Sequence, residues 1–322
     1  MEKLNSIQIS IRQTRAYWKN VKNLYDLYAF FVRIFVSIIN KIHIFDCLNR
    51  YDLKLSGKVA EKVLKKYTLE NHYDFNGIYL PRLASDDYGG LTVLRCCLND
   101  VFGIYLYNND NYHWKYVDKF DKKSVEGSYL YEKKEDNIDI TIHENDIVFD
   151  IGAWIGDFSA YACTKGATVY AFEPLKETRE LLQETVKLNK DKSGKIIIVP
   201  FGVGSKNEQL AIFSLNNINS SSSFHVNSVS DSTETVDVIK LDDWVIENNL
   251  KVDFIKADIE GFEREMLKGA TDILKTQEPK LSLCTYHLPD DPEVMSDIIL
   301  SANPNYKIIQ RGMKMFAYVL KA

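Results

Sequence analysis

From about residue 140 onward, short apolar runs alternate with stretches of helical period, and few architectures accept that pattern. β-like runs stand at 147–151, 168–172, 195–201, 252–257, 280–286 and 306–310, with a last one at 315–320. Helical segments separate most of them, for example 176–189, where Leu181, Leu182 and Val186 share a face. Such alternation predicts an α/β fold, a Rossmann-like doubly wound sheet with helices on both faces. Ligands of these sheets bind beyond the carboxyl ends of the strands, near the topological switch point. Asp150, Glu173 and Asp258 all fall at the ends of predicted strands. One stretch breaks the alternation. Residues 209–240 hold two β-like runs around the polar segment Asn216-Asn-Ile-Asn-Ser-Ser-Ser-Ser223, which predicts a hairpin-like insertion with a mobile tip.

The first 139 residues read differently. Trp18, Val21, Tyr25, Tyr28, Val32, Phe35, Ile39 and Ile42 recur in steps of three and four, a helical stripe. Leu24, Leu27, Phe30, Phe31, Ile34 and Ile38 thicken it, so the helix needs covering. It could dock on the main domain, pair with a second copy as a homo-oligomer, or lie on a membrane surface. A second amphipathic helix is expected over 56–67, with Val59, Val63 and Leu64 inward. From 77 to 139 short β-like runs (78–80, 91–94, 102–106) stand between turn signals at 86–90 and 108–111. The expected organisation is an N-terminal helical region (1–75), a small α+β lead-in or cap (76–139) and a cofactor-binding domain (140–322).

Bulk properties narrow the function. A net charge of -5 and a pI near 5.8 argue against a nucleic-acid partner held by bulk charge. The five cysteines, Cys47, Cys96, Cys97, Cys163 and Cys284, form no CxxC pair and have no His at metal spacing. Reduced thiols in a cytoplasmic protein are the expectation. The N-terminus lacks a secretory pattern, and the greasiest segment, 27–39, is too short to span a bilayer and carries Arg33. No transmembrane helix is expected.

The chemistry concentrates in four places. Gly152 and Gly156 lie in a strand-to-helix turn, where a missing Cβ lets backbone approach a ligand. The dinucleotide fingerprint G-x-G-x-x-G is one glycine short here, and Asp150 would stand beside an anionic pyrophosphate. S-adenosylmethionine (SAM) instead offers an ammonium and a sulfonium, which a carboxylate favours. Glu173, at the end of the next strand, can accept from both hydroxyls of a ribose, although NAD folds place an acid there too. Ala153 and Pro174 flank these groups and are assigned to the same cofactor pocket. Asp258 and Glu260, in Lys256-Ala-Asp-Ile-Glu-Gly261, are close carboxylates that could act as acid and base, hold a divalent cation, or cap a helix. No metal site is assigned. His287, just past a core strand, titrates in a useful range and is expected as a base beside Asp258.

These segments together resemble the FkbM-type SAM-dependent methyltransferases. The matching pieces are Asp150-Ile-Gly-Ala-Trp-Ile-Gly-Asp157, Tyr170-Ala-Phe-Glu-Pro174, Ile239-Lys-Leu-Asp-Asp243, Lys256-Ala-Asp-Ile-Glu-Gly-Phe-Glu263 and Leu267-Lys-Gly-Ala270. The resemblance implies a class I methyltransferase sheet of seven strands, the last pair antiparallel. It implies methyl transfer, typically to a hydroxyl of a sugar, glycan or small metabolite. By it, Asp150, Gly152 and Gly156 bind the methionine end of SAM, Glu173 holds the ribose, and 256–263 borders the acceptor. Many members carry a Glu after the late strand, where this chain has Cys284 and then Tyr286-His287. Two other classes stay open on the residues alone: a nucleotide-dependent oxidoreductase on a similar sheet, and a non-catalytic binding or assembly module using the N-terminal helix.

Overall fold

The computed structural model describes residues 68–75, 77–82, 129–133, 136–214, 222–223, 233–311 and 314–320. The expected helices at 18–42 and 56–67, the runs at 91–94 and 102–106 and the turns at 86–90 and 108–111 lie outside these residues. Among the described residues no helix is long and apolar enough to cross a membrane.

In chain order the elements are β1 (His72–Phe75), β2 (Ile78–Pro81), β3 (Tyr131–Lys133), β4 (Ile138–Ile140), β5 (Ile147–Ile151), α1 (Asp157–Thr164), β6 (Thr168–Phe172), α2 (Lys176–Leu188) and β7 (Lys195–Val199). Then come β8 (Gly202–Gly204), β9 (Glu208–Ser214), β10 (Ser222–Ser223), β11 (Thr233–Lys240), α3 (Leu241–Glu247), β12 (Phe254–Ala257), α4 (Glu263–Lys268) and α5 (Thr271–Thr276). The chain closes with β13 (Lys280–Cys284), α6 (Asp291–Ala302), β14 (Tyr306–Arg311) and β15 (Lys314–Val319).

The main sheet has seven strands in the order β14-β15-β13-β12-β5-β6-β7. Strands β5, β6, β7, β12 and β13 are parallel, while β15 runs antiparallel to both β13 and β14. This is the class I methyltransferase arrangement, reversed final pair included. The chain steps outward from β5 to β7, then returns to place β12 on the other side of β5. The switch point therefore lies between β5 and β12, where their carboxyl ends stand together at Ile151 and Ala257.

Side-chain alternation sorts these strands into two cores. Phe149, Ile151, Ile255 and Ala257 point to the face covered by α3 to α6, together with Leu241, Met266 and Met295. Val148 and Phe254 point to the other face, under α1 and the segment before β3, with Phe158, Leu182 and Tyr129. Asp150 and Lys256 alternate onto this second face as well, and the parallel register sets them directly opposite each other.

Two boundaries differ from expectation for identifiable reasons. The run at 195–201 leaves the sheet at Val199, because Pro200 has no N–H for the ladder. Gly202–Gly204 then joins a second sheet of order β10-β9-β11-β8. The insertion at 209–240 is the hairpin β9–β11, paired from Glu208 against Val238 to Phe213 against Thr233. At the N-terminal end β1 and β2 form a hairpin, and the expected division after residue 75 falls in its turn. Asn189, closing α2, fastens this hairpin by bonding both the N–H and the C=O of Tyr79, at 3.2 and 2.7 Å.

Two of the sequence motifs prove to be joints. The buried Asp242 carboxylate accepts the N–H groups of Ile273 (3.0 Å) and Asp272 (3.2 Å) at the start of α5. Its own N–H donates to Gly269 O at 2.9 Å. A Cβ on Gly269 would sit 2.0 Å from Gly204 O, so only glycine lets the two backbones meet. Asp242→Ala should therefore lower stability by about 2–3 kcal/mol through lost capping and stranded amides. Urea unfolding measures this, and an unchanged midpoint would contradict the role.

Candidate active site

The carboxyl ends of β5, β6, β12 and β13 hold every group singled out in the sequence, but not in equal roles. Asp150 is wholly buried. Its Oδ1 lies 2.9 Å from Lys256 Nζ, and its Oδ2 accepts from Ser159 Oγ at 2.6 Å. Lys256 in turn donates to Gly152 O at 2.8 Å. Burial works against the Lys256 charge, but Asp150 and Asp258 more than offset it and raise its pKa. The Asp150 charge expected to face a cationic cofactor is thus already matched inside the protein. Its effect is on the turn, because Lys256 links it to the Gly152 carbonyl.

The turn itself is shaped by the protein. Gly152 has φ +75°, and a Cβ there would fall 2.1 Å from Asp258 O. Gly156 has φ +86°, and its Cβ would meet Leu182 Cδ1 at 2.5 Å. Both glycines are demanded by left-handed backbone and by close packing against α2 or the Asp258 loop. Ala153 is buried in the second core. The amides of Gly152 and Ala153 donate to Phe172 O, and that of Gly156 to Ala153 O. The amide of Trp154, itself at φ +50°, donates to Glu173 Oε2 at 3.1 Å.

Glu173 stands at the tip of β6. Its Oε1 accepts from Leu175 N at 3.0 Å, so each carboxylate oxygen has one partner and one lone pair to spare. Burial raises its pKa from the ordinary 4.5 to about 7, against the opposing pull of the Leu175 and Trp154 amides, Arg179 and Lys256. Pro174 contributes its carbonyl, which accepts from Arg179 Nη1.

Across the switch point lies a carboxylate cluster. Asp258 Oδ2 accepts from the Tyr129 hydroxyl (2.6 Å) and Oδ1 from the Tyr286 hydroxyl (3.2 Å). Burial alone would raise the Asp258 pKa, but Lys256, His287, Lys314 and the Tyr129 bond hold it below its usual range. Glu263, fully buried at the start of α4, accepts the amides of Ile259 (2.7 Å) and Gly261 (3.0 Å) and so fixes the loop carrying Asp258 and Glu260. The His287 ring lies inside: Nε2 is 3.5 Å from Asp258 Oδ1 and 3.3 Å from Glu260 Oε2, and Nδ1 is 3.1 Å from Glu263 Oε1. The loop after it is held by Arg264, paired with Asp291 (2.6 Å) and Asp290 (2.7 Å). Burial opposes a charge on His287, yet Glu260, Glu263 and Asp258 push its pKa up to about 10. With that shift the imidazole tends to keep its proton near neutrality, which works against the role of base expected for His287.

Comparison with known proteins fits this geometry. Residues 150–306 match the Methyltransferase FkbM domain. This part of the chain is similar to the FkbM methyltransferases. The chain is 29% identical over 167 residues to the hexuronic acid methyltransferase AglP of Haloferax volcanii, an alignment covering 51% of this chain and 66% of AglP. Among solved structures it aligns with methyltransferase FkbM from Methylobacillus flagellatus KT (22% identity, TM-score 0.45, 83% of this chain and 60% of that one). It also aligns with Aeropyrum pernix fibrillarin in complex with natively bound SAM (11% identity, TM-score 0.35, 56% of this chain and 70% of that one).

The site also contains groups the sequence did not single out. Lys256 was visible in its motif, and its partner follows from the register of β5 and β12. Tyr129 lies outside the motifs, and no local signal ties it to Asp258, which is 129 residues away.

Two outcomes follow. Lys256→Met leaves a buried unpaired carboxylate and should cost about 3–5 kcal/mol, most of it recovered in Asp150→Asn/Lys256→Met. A single variant as stable as wild type in urea would contradict the pairing. The raised pKa of Glu173 means the folded protein keeps a proton that the unfolded chain has lost. Its contribution is fully present at pH 4.5 and lost as pH rises to about 7. Glu173→Gln should abolish that part of the pH dependence of the melting temperature.

Proposed function

We propose that this chain transfers a methyl group from SAM to a hydroxyl of a glycan or small metabolite. The observation that carries the reading is Glu173: a buried carboxylate at the β6 tip, fixed by two amides and keeping a lone pair on each oxygen for a ribose diol. Ionisation of Glu173 is favoured when hydroxyls donate to it, so the cofactor's arrival would draw its raised pKa back down. SAM, when bound, supplies a methyl group on a positively charged sulfur.

The chain's own groups supply position and charge. The turn 152–156 and Glu173 would seat the adenosyl part, and the Asp258 loop, packed against Gly152, would border the methyl and the acceptor. In-line holding of oxygen, carbon and sulfur gives most of the rate in such a transfer. In such a transfer the oxygen–carbon bond would form as the carbon–sulfur bond breaks, its electron pair passing to sulfur, and the hydroxyl proton would pass to solvent water. The tip expected at 220–225 lies mostly outside the described residues, with Ser222 and Ser223 paired to β9. A sugar acid is a natural acceptor class to try first, since the relative AglP is a hexuronic acid methyltransferase.

The oxidoreductase alternative fits less well. A pyrophosphate needs free N–H groups at the turn, and those of Gly152, Ala153, Trp154 and Gly156 are all committed within the protein. Glu173→Ala removes two charge-assisted bonds and should weaken SAM binding about 100-fold by calorimetry, at roughly 1.5 kcal/mol or more per bond. Undiminished affinity in a folded variant would refute the cofactor assignment, and saturable NAD binding in its place would favour the oxidoreductase.

A further inference from the structure

The carboxylate cluster around His287 has distances that hydrogen bonding does not explain. Charge-assisted N–H···O contacts close to about 2.7–2.9 Å, whereas His287 Nε2 stands 3.5 Å from Asp258 Oδ1 and 3.3 Å from Glu260 Oε2. Its ring nitrogens form ion pairs with Asp258, Glu260 and Glu263 but no aligned hydrogen bond, although the side chain is only 7% exposed. A buried imidazole paired by charge but not by aligned hydrogen bonds, aimed into converging carboxylates, is a geometry that a cation would also satisfy.

We propose that His287 Nε2, Asp258 Oδ1 and Glu260 Oε2 bind a divalent cation. Donor atoms about 2.1 Å from one metal and roughly at right or tetrahedral angles lie about 3.0–3.5 Å from each other. The two observed edges fall in that interval. The donor atoms of Asp258, Glu263 and His287 all lie within 4.8 Å of one another. Glu263 is not needed as a ligand. Its oxygens hold the Ile259 and Gly261 amides, and it faces His287 Nδ1 at 3.1 Å. A carboxylate on the far nitrogen is the usual way a protein orients a metal-bound imidazole.

The side chains of Asp258 and Glu260 are 23% and 24% exposed, so the site is closed behind the imidazole and open in front of the acids. Open positions there suit water or an acceptor oxygen. Mixed carboxylate and imidazole ligands fit Mn²⁺, with Mg²⁺ and Zn²⁺ as neighbours in preference. The consequence for chemistry rests on the methyl-transfer reading: an alcohol ligated by the cation loses its proton to solvent more readily, and no side-chain base is required. The cation site itself does not depend on that reading.

The test titrates the purified full chain with MnCl₂, following heat by calorimetry and free Mn²⁺ by electron paramagnetic resonance, and titrates SAM in parallel. One Mn²⁺ per chain is expected. Glu260→Gln, which keeps size and removes one anionic ligand, and His287→Gln should each weaken it tenfold or more while SAM affinity stays within twofold. Absence of saturable Mn²⁺ binding would overturn the proposal and leave a proton on His287 as the charge that balances the cluster. Equal Mn²⁺ binding by both variants would also overturn it, since the ion would sit elsewhere. Mn²⁺ binding lost in the variants, without SAM binding in any protein, would uphold the metal site and reject methyl transfer.

Discussion

The Asp150–Lys256 pair is the joint on which the rest depends. Two adjacent parallel strands present opposite charges at the same register, on the same face, near their carboxyl ends. In a medium of low polarity neither charge survives alone, so the strands and the loops that follow them are fixed as a unit. From β5 comes the turn with Gly152 and Gly156, and from β12 comes the loop with Asp258 and Glu260. Lys256 also reaches two residues further and bonds the Gly152 carbonyl, while the missing Cβ of Gly152 leaves space that the Asp258 carbonyl fills. The Gly152 turn and the Asp258 loop are therefore neighbours because of one ion pair and one missing Cβ.

This arrangement revises what the acidic residues do. Asp150 is structural in its immediate contacts, and its influence on a ligand passes through the turn. Glu173 is the carboxylate with capacity left over, and burial keeps it poised between charged and neutral. Asp258, Glu260 and Glu263 form a separate negative centre closed by His287, on the opposite side of the switch point. Two acidic groups with different environments thus stand at one switch point, where sheets of this kind bind their ligands.

Much of the fold was legible because its signals are local. β5 and β6 matched their apolar runs residue for residue, and α2 followed from the spacing of Leu181, Leu182 and Val186. The strand after α2 was read too long because apolar Phe201 outweighed Pro200, and the ladder needs the N–H that proline lacks. The residues that sit on motifs, Asp150, Glu173, Asp258, Glu260 and His287, come together at the strand ends. Their roles were less legible. Charge balance is a property of neighbours: Lys256 pairs with Asp150, and three carboxylates favour a proton on His287, which the sequence order does not announce. Tyr129 shows the limit most clearly, since its contact with Asp258 joins distant segments without any periodicity to announce it.

The most direct measurement is a crystal structure of the protein with S-adenosylhomocysteine. The account predicts both ribose hydroxyls within hydrogen-bonding distance of Glu173, with Asp150 still on Lys256 and the ligand's sulfur facing the Asp258 loop. A ligand amino group seated directly on Asp150 with Lys256 displaced, or a ribose bound away from Glu173, would contradict it.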